Sequence, residues 1–150
     1  IFVAKRKVDV ILNKKELLQK NKTSKFYFDL KKNIYKGIRN LEKYSSFNKK
    51  IGKRVAGYGA GGRGVMTLAS MSNSKNFKFL IEKNPKSQNI YAPGSGLQIV
   101  NLEHLKENPV DEILVFSFGY MDEIKKDLKK YGYQNNQIKS FIDIMKDGYV

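Results

Sequence analysis

The spacing of the apolar residues changes near residue 50. From 24 to 49 they recur at helical intervals and leave the opposite face polar, which predicts one long amphipathic helix with Ser24 as its cap. A helix with a single apolar stripe must pack on something larger. Four apolar residues run together at the start of the chain, and they predict a short strand over residues 1–8.

After residue 50, short apolar runs alternate with amphipathic stretches. The runs predict strands at 54–58, 76–82, 97–100 and 112–118, with a last strand or edge segment at 137–142. Helices are predicted from 62 to about 71, at 102–107 and at 121–131, and an extended loop with two prolines at 84–96. Strands that alternate with helices favour a parallel sheet covered on both faces. We therefore predict an α/β fold, a Rossmann-like and mostly parallel sheet with helices on both faces, preceded by a helical arm.

A glycine-rich segment follows the first strand of the predicted sheet directly. Residues 55–64 read VAGYGAGGRG, and Gly57, Gly59 and Gly62 match G-x-G-x-x-G between a strand and a helix. Glycine lets such a turn bend or approach a phosphate, and the amides at the helix N-terminus face the anion. Glu82 stands twenty residues after Gly62, where a dinucleotide-binding fold places its ribose-binding acid. The pattern predicts a nucleotide site; the alternative is that the glycines only permit close packing of strand and helix.

Ligands of open parallel sheets bind beyond the carboxyl ends of the strands. The loops at 57–64, 82–96 and 117–122 are therefore expected to lie together. Arg63 is placed to clamp a diphosphate, and Tyr58 to stack on a base or sugar unless its ring belongs to the core. We expect no catalytic and no metal-ligating residue here. The candidate substrate-binding residues are Gly57, Tyr58, Gly59, Gly62, Arg63, Glu82, Lys83, Pro93, Gly94, Ser95 and Ser117.

Composition excludes several classes of site. The sequence has no cysteine and one histidine, His104, which excludes a disulfide framework and any thiolate or multi-histidine metal centre. The net charge is +15, and residues 1–54 hold 17 Lys and Arg against 4 Asp and Glu. Because only four of the basic residues in the whole chain are arginines, a solvated lysine-rich face is favoured over a specific nucleic-acid interface. The first four residues are too short for a signal peptide core, which predicts a cytoplasmic protein, and a first residue other than Met suggests a longer polypeptide.

Three segments resemble the C-terminal domain of the sugar-nucleotide C-methyltransferases. The run VAGYGA at 55–60 is similar to the V-x-G-Y-G-A that opens that domain. Residues 82–99 align without a gap with D-K-N-P-x-K-Q-G-x-x-x-P-G-S-x-I-P-I, but have Glu82, Ser87, Asn89 and Gln98 where the family has Asp, Lys, Gly and Pro. Ser117-Phe118-Gly119 is fainter, with Phe and Gly where the family has Trp and Asn. The resemblance covers 24–145. It implies that residues 1–50 are a remnant strand of a preceding methyltransferase domain plus a helical arm, and that 51–150 are the Rossmann-like C-terminal domain.

The resemblance also implies a division of work in the parent enzyme. An N-terminal segment would bind zinc, and a central domain would bind S-adenosylmethionine and supply the base. This chain would help to hold the nucleotide-linked keto-sugar, would bind no cofactor itself and would not be catalytic alone. Its partners would be the nucleotide-sugar and the preceding methyltransferase domain, with no membrane and no specific nucleic acid. Three alternatives stay open: an NAD-binding module, a CoA-type module of a sugar-modifying enzyme, and a nucleic-acid binder that acts through residues 1–54.

Overall fold

The structure is a computed structural model that describes residues 2–85, 87 and 89–147, with side-chain surroundings from Thr23 to Lys146 within those ranges. Ile1, in the predicted first strand, and Lys86 and Gln88, in the second family-like segment, lie outside the described residues. The chain divides into two units, residues 1–35 and 36–150. The boundary falls within the first helix.

The first unit is helical. Helix α1 runs from Phe2 to Lys50, so the strand predicted at residues 1–8 is wrong, and Ser24 lies inside the helix and does not cap it. A strand needs a neighbouring strand for its backbone, whereas a helix satisfies its own N–H and C=O groups. Residues 2–50 contain no proline and a single glycine, so nothing in the sequence stops the helix from continuing. Among residues 23–35, where side chains are described, the exposed large apolar residues are Phe26, Tyr27, Phe28, Leu30, Ile34 and Tyr35.

The second unit contains a six-stranded sheet in the order β3-β4-β2-β1-β5-β6, parallel except for β3, which is antiparallel to β4. The strands are β1 (Val55–Tyr58), β2 (Phe77–Ile81), β3 (Ile90–Tyr91), β4 (Gln98–Val100), β5 (Glu112–Val115) and β6 (Ile138–Ser140). The helices of this unit after α1 are α2 (Gly62–Ala69), α3 (His104–Glu107), α4 (Met121–Lys129) and α5 (Phe141–Asp147). Short 3₁₀ turns occur at Ser74–Asn76, Phe118–Tyr120 and Asn135–Gln137.

Helices cover both faces of the sheet. On one face, α3 and α4 pack through residues such as Leu105, Ile124 and Leu128 against alternate strand positions. On the other face, the end of α1 packs together with α2 and α5, and the side chains of Leu41 and Tyr44 are fully buried. Strands β1, β2, β4 and β5 thus have apolar side chains on both faces, as a parallel sheet requires. The predicted fold class is confirmed.

The structure also contains two elements that the sequence pattern did not predict. Strand β3 is two residues long and lies inside the predicted loop, and it returns the chain toward the start of β4. Helix α5 follows the last strand directly: β6 confirms most of the segment predicted at 137–142, and α5 takes only its last two residues. Ser140 followed three residues later by Asp143 is a helix-start signal that was available in the sequence.

The strand order reverses at the centre of the sheet. The chain passes from β1 to β2 and β4 on one side, and then returns to β5 and β6 on the other. Strands β1 and β5 are therefore neighbours, and from their carboxyl ends the chain continues to opposite sides of the sheet. In open α/β sheets this switch point, at the carboxyl ends of the strands, is where ligands bind.

Candidate functional site

The glycine-rich turn begins at Gly59, after β1. Gly59 has φ of +103°, a left-handed conformation that favours glycine. Gly57 lies within β1 itself, and a Cβ there would stand 2.7 Å from Leu80 Cδ1 and 2.9 Å from Phe116 Cε2. The prediction that Gly57 lies in the turn is therefore wrong. A turn that began at Gly57 would leave only Val55 and Ala56 for the strand, whereas β1 has four residues.

The same G-x-G-x-x-G spacing recurs two residues later, at Gly59, Gly61 and Gly64, and these positions have the roles the pattern needs. Gly61 is the N-cap residue of α2, and a Cβ on Gly61 or Gly62 would meet nothing within 4 Å. Gly64 lies against the turn, because a Cβ there would overlap the carbonyl oxygen of Gly59. The first glycine thus bends the chain, the second leaves the helix N-terminus open, and the third permits close packing of strand and helix.

Glu82 stabilises this turn from the end of β2. Its Oε2 accepts a hydrogen bond from the Ala60 N–H at 3.0 Å, and its Oε1 accepts one from the Lys83 N–H at 3.2 Å. The Lys83 ammonium extends away to Asp127, at 2.6 Å. That hydrogen bond raises the pKa of Lys83 and lowers the pKa of Asp127. Both residues lie at the carboxyl edge, as predicted, but their charged groups already have partners within the fold.

Arg63 lies in the first turn of α2, at the switch point. Its Nη1 donates to the Phe116 carbonyl oxygen at 3.3 Å, and its guanidinium carbon stands 4.5 Å from the centre of the Phe118 ring. Phe118 in turn packs on Phe141, with ring centres 5.9 Å apart, and remains 43% exposed. Phe118 was not among the predicted site residues. The signal that pointed to it is its place where the resembled family has tryptophan.

Three of the predicted site residues, Pro93, Gly94 and Ser95, lie at the opposite edge of the sheet. They belong to the turn between antiparallel β3 and β4, and a Cβ on Gly94 would stand 2.6 Å from the Cβ of Ala69, the last residue of α2. Ser95 is buried, and its Oγ accepts from the Leu97 N–H at 3.4 Å. The structure brings together Gly59, Gly62, Arg63, Glu82, Lys83 and Ser117, and it does not bring the Pro93–Ser95 turn to them.

The fold and this turn agree with a match to a known protein family. The family model for the C-methyltransferase C-terminal domain matches residues 3–142. The chain belongs to this family. The matched range includes nearly all of α1 as well as the sheet. Among curated proteins, none has a sequence that matches this chain.

Two kinds of site are not found in the described part of this C-methyltransferase C-terminal domain. Its described residues include no group of three or more His, Cys, Asp or Glu that could hold a metal ion. Among the same residues, no helix is both long enough and apolar enough to cross a membrane.

Tyr58, the residue directly before Gly59, has a raised pKa. Its side chain is 5% exposed, and burial, followed by the charges of Asp127 and Glu82, raises its pKa to about 12. The ring belongs to the core on the α3–α4 face, so it does not lie on the open surface at the turn, where we had predicted that it could stack on a ligand.

The raised pKa of Tyr58 predicts a loss of stability in alkali. Above pH 10 the unfolded chain releases this proton while the folded domain keeps it, so the free energy of unfolding falls as pH rises toward 12. Between about pH 9 and pH 11 we expect this residue to account for a loss of about 1 kcal/mol. Urea unfolding at both pH values measures it, with Tyr58→Phe as the control for the other tyrosines and lysines. Equal pH dependence in the two proteins would contradict the assignment.

Proposed function

We propose that this domain holds the nucleotide-linked keto-sugar substrate of an S-adenosylmethionine-dependent C-methyltransferase. The observation that carries the proposal is the position of Arg63, in the first turn of α2 and at the point where the strand order reverses. A guanidinium binds a diphosphate through two parallel hydrogen bonds, which suits the linkage between a nucleoside and its sugar. Family membership supports the same reading at the level of reaction class.

The turn beside Arg63 suits an anion. No side-chain hydrogen bond caps α2 at Gly61, and the space around Gly61 and Gly62 is open, so a phosphate can approach the first amides of the helix. The helix dipole adds a partial positive charge there. Glu82 and Gly59 fix the backbone of the turn before any ligand arrives, because Ala60 donates to Glu82 and Gly59 donates to the Ile81 carbonyl at 2.8 Å.

Phe118 positions the guanidinium. Stacking on an aromatic ring restricts the long arginine side chain, so less conformational entropy is lost when a phosphate binds. The exposed part of the ring also offers an apolar surface beside the site for a base or a sugar. In this interpretation Ser117, at the carboxyl end of β5 and next to Gly59, lines the floor of the site.

The methyl donor and the base are proposed to lie on a preceding domain. S-adenosylmethionine supplies an electrophilic methyl group in this chemistry, and in this chain Glu82, the acid at the turn, already accepts from two backbone N–H groups. The exposed apolar residues of α1 support contact with another domain, since a patch of this kind marks an interaction surface. Methyl transfer to a keto-sugar nucleotide by this chain alone would contradict this division of roles between the two domains.

Absence of cysteine fits a reducing compartment, and we propose the cytoplasm.

Titration of the domain with dTDP- and GDP-linked sugars tests the proposal. We expect at least one to bind, and Arg63→Ala to weaken it about tenfold, since a hydrogen bond to a charged group is worth about 1.5 to 3 kcal/mol. Lys129→Ala removes an exposed charge from α4 and is the matched control, with an expected change below twofold. Unchanged affinity in Arg63→Ala would mean that the glycine turn serves packing only.

A dinucleotide-binding module is the second candidate, and the glycine register favours it. Gly59, Gly61 and Gly64 with Glu82 at the end of β2 reproduce the arrangement that binds NAD in other folds. Against it, both oxygens of Glu82 already accept from the backbone, which leaves less capacity for a ribose. NAD and coenzyme A belong in the same titration. Binding of either one, with no binding of the sugar nucleotides, would replace the first proposal by this one.

A further inference from the structure

A concave site lies at the amino edge of the sheet, away from the glycine turn. It has a volume of about 180 Å³ and an unusual lining, in which five of the seven residues carry a basic side chain and none is acidic. The lining residues are Lys49, Gly52, Lys53, Arg54, Lys75, Asn76 and Lys78.

The fold collects these cations from three segments. Arg54 directly precedes β1, and Lys75 and Lys78 flank the start of β2. Val55 of β1 pairs with Phe77 of β2, so the amino ends of these two parallel strands adjoin. Lys49 comes from the last turn of α1. The sequence alone shows an excess of basic residues within 1–54, whereas the structure brings three of them together with Lys75 and Lys78 around one cavity.

Most of this charge has no acidic partner among the described residues. Lys53 pairs with the buried carboxylate of Glu112 at 2.6 Å. Asp111 is near, but its Oδ2 accepts from the backbone N–H of Arg54 at 2.6 Å. Within the described residues, no ion pair or hydrogen bond joins the side chains of Lys49, Arg54, Lys75 and Lys78 to an acid. Like charges around one concave surface repel each other, and together they attract a polyanion.

The wall formed by the end of α1 is compatible with an anion. A helix C-terminus carries a partial negative charge, but here its carbonyl groups at Phe47, Asn48 and Lys49 accept from the backbone of the following residues at 2.9 to 3.1 Å. Gly52 has φ of +78°, and a Cβ there would meet nothing within 4 Å, which keeps that wall open.

We propose that this cavity binds a small ligand that carries at least two phosphate groups. A carboxylate supplies one negative charge, whereas a diphosphate supplies enough charge to meet several cations at once. Cations on several sides of a concavity suit a compact polyphosphate better than the extended backbone of a nucleic acid. The four residues of β1 place this cavity roughly 13 Å from the glycine turn at ~3.3 Å per residue. The proposal does not depend on the function of Arg63.

Calorimetric titration with inorganic pyrophosphate at about 0.15 M salt tests the proposal. The parent for this experiment is Arg63→Ala, which weakens any binding of pyrophosphate at the glycine turn. We expect saturable binding of one pyrophosphate per chain. We expect the affinity for pyrophosphate to fall at least tenfold when three exposed cations are also replaced, by Arg54→Gln, Lys75→Gln and Lys78→Gln. The matched control adds Lys126→Gln, Lys129→Gln and Lys146→Gln, which remove the same charge from exposed positions on α4 and α5, and should change affinity less than twofold.

Three outcomes would overturn the proposal. Equal losses in the two triple variants would show attraction to net charge and no site. Absence of saturable pyrophosphate binding by a parent whose circular dichroism and melting are normal would show that the cavity takes no such ligand. The third outcome concerns duplex DNA. If duplex DNA binds, loses affinity only in the cavity variant and is not displaced by pyrophosphate, the cavity is a contact for nucleic acid.

Discussion

Replacing Gly64 with alanine is expected to lower the free energy of unfolding by about 2 to 3 kcal/mol, since overpacking costs about 1 to 3 kcal/mol and here the obstacle is backbone. The added Cβ would overlap the carbonyl oxygen of Gly59 and stand 3.4 Å from Phe116 Cβ. Gly59 cannot retreat easily, because its N–H donates to the Ile81 carbonyl at 2.8 Å and its φ of +103° is already restrictive. Relief would require α2 to move away from β1.

Gly62→Ala is the matched control for Gly64→Ala. Both positions lie in α2, but a Cβ on Gly62 would meet nothing within 4 Å. Alanine restricts the unfolded chain more than glycine does, so this change is expected to raise stability by about 0.4 to 1 kcal/mol. Urea unfolding of both variants, with the midpoint and slope fitted together, measures the difference. If the two variants had the same stability, α2 would not approach the turn as closely as described.

The glycine turn shows how far sequence alone locates a site. The glycine-rich segment 55–64 predicts a turn between β1 and α2 with Arg63 in the first turn of the helix, and the structure has that arrangement. It could not decide the register, because the same ten residues fit G-x-G-x-x-G at 57, 59 and 62 and again at 59, 61 and 64. The length of β1 decides between them, and that length follows from pairing with β2 and β5, which local pattern does not report.

Contacts between distant residues account for the other errors. The Pro93–Ser95 turn was expected at the rim of the site because the loop that contains it begins at the carboxyl end of β2. Two residues of β3 are enough to carry the chain back to the amino edge, and a strand of that length has almost no periodic signal. The stacking of Arg63 on Phe118 joins residues 55 positions apart, so spacing along the chain could not indicate it.

The helical arm shows the limit of a local pattern in another way. The apolar stripe of α1 was predicted to pack on something larger, and from Ile38 onward it does, with Leu41 and Tyr44 in the core. The earlier residues of the same stripe, Ile34 and Tyr35 among them, are exposed. Periodicity predicts which face of a helix is apolar, and the tertiary structure decides how much of that face is covered.

Removing the hydroxyl of Tyr44 is expected to lower the free energy of unfolding more than removing the exposed hydroxyl of Tyr131. Tyr44 is fully buried, and its hydroxyl donates to Glu112 Oε2 at 2.9 Å. Glu112 is only 4% exposed, and Lys53 donates to its other oxygen at 2.6 Å. Tyr44→Phe leaves the buried carboxylate without one donor and with no ready access to water. We expect a loss of about 1 to 3 kcal/mol in the free energy of unfolding.

Tyr131→Phe is the matched control, because the chain repeats the same three groups at its surface. The Tyr131 hydroxyl donates to Glu103 Oε1 at 2.7 Å, and Lys106 pairs with the other oxygen of that carboxylate. Glu103 has 58% of its side chain exposed, so water replaces the lost hydroxyl. The expected change is below about 0.5 kcal/mol, as for other exposed substitutions. Urea unfolding of both variants at neutral pH makes the comparison. Similar losses in the two would mean that water reaches Glu112, and that the contact between α1 and the start of β5 is looser than the structure describes.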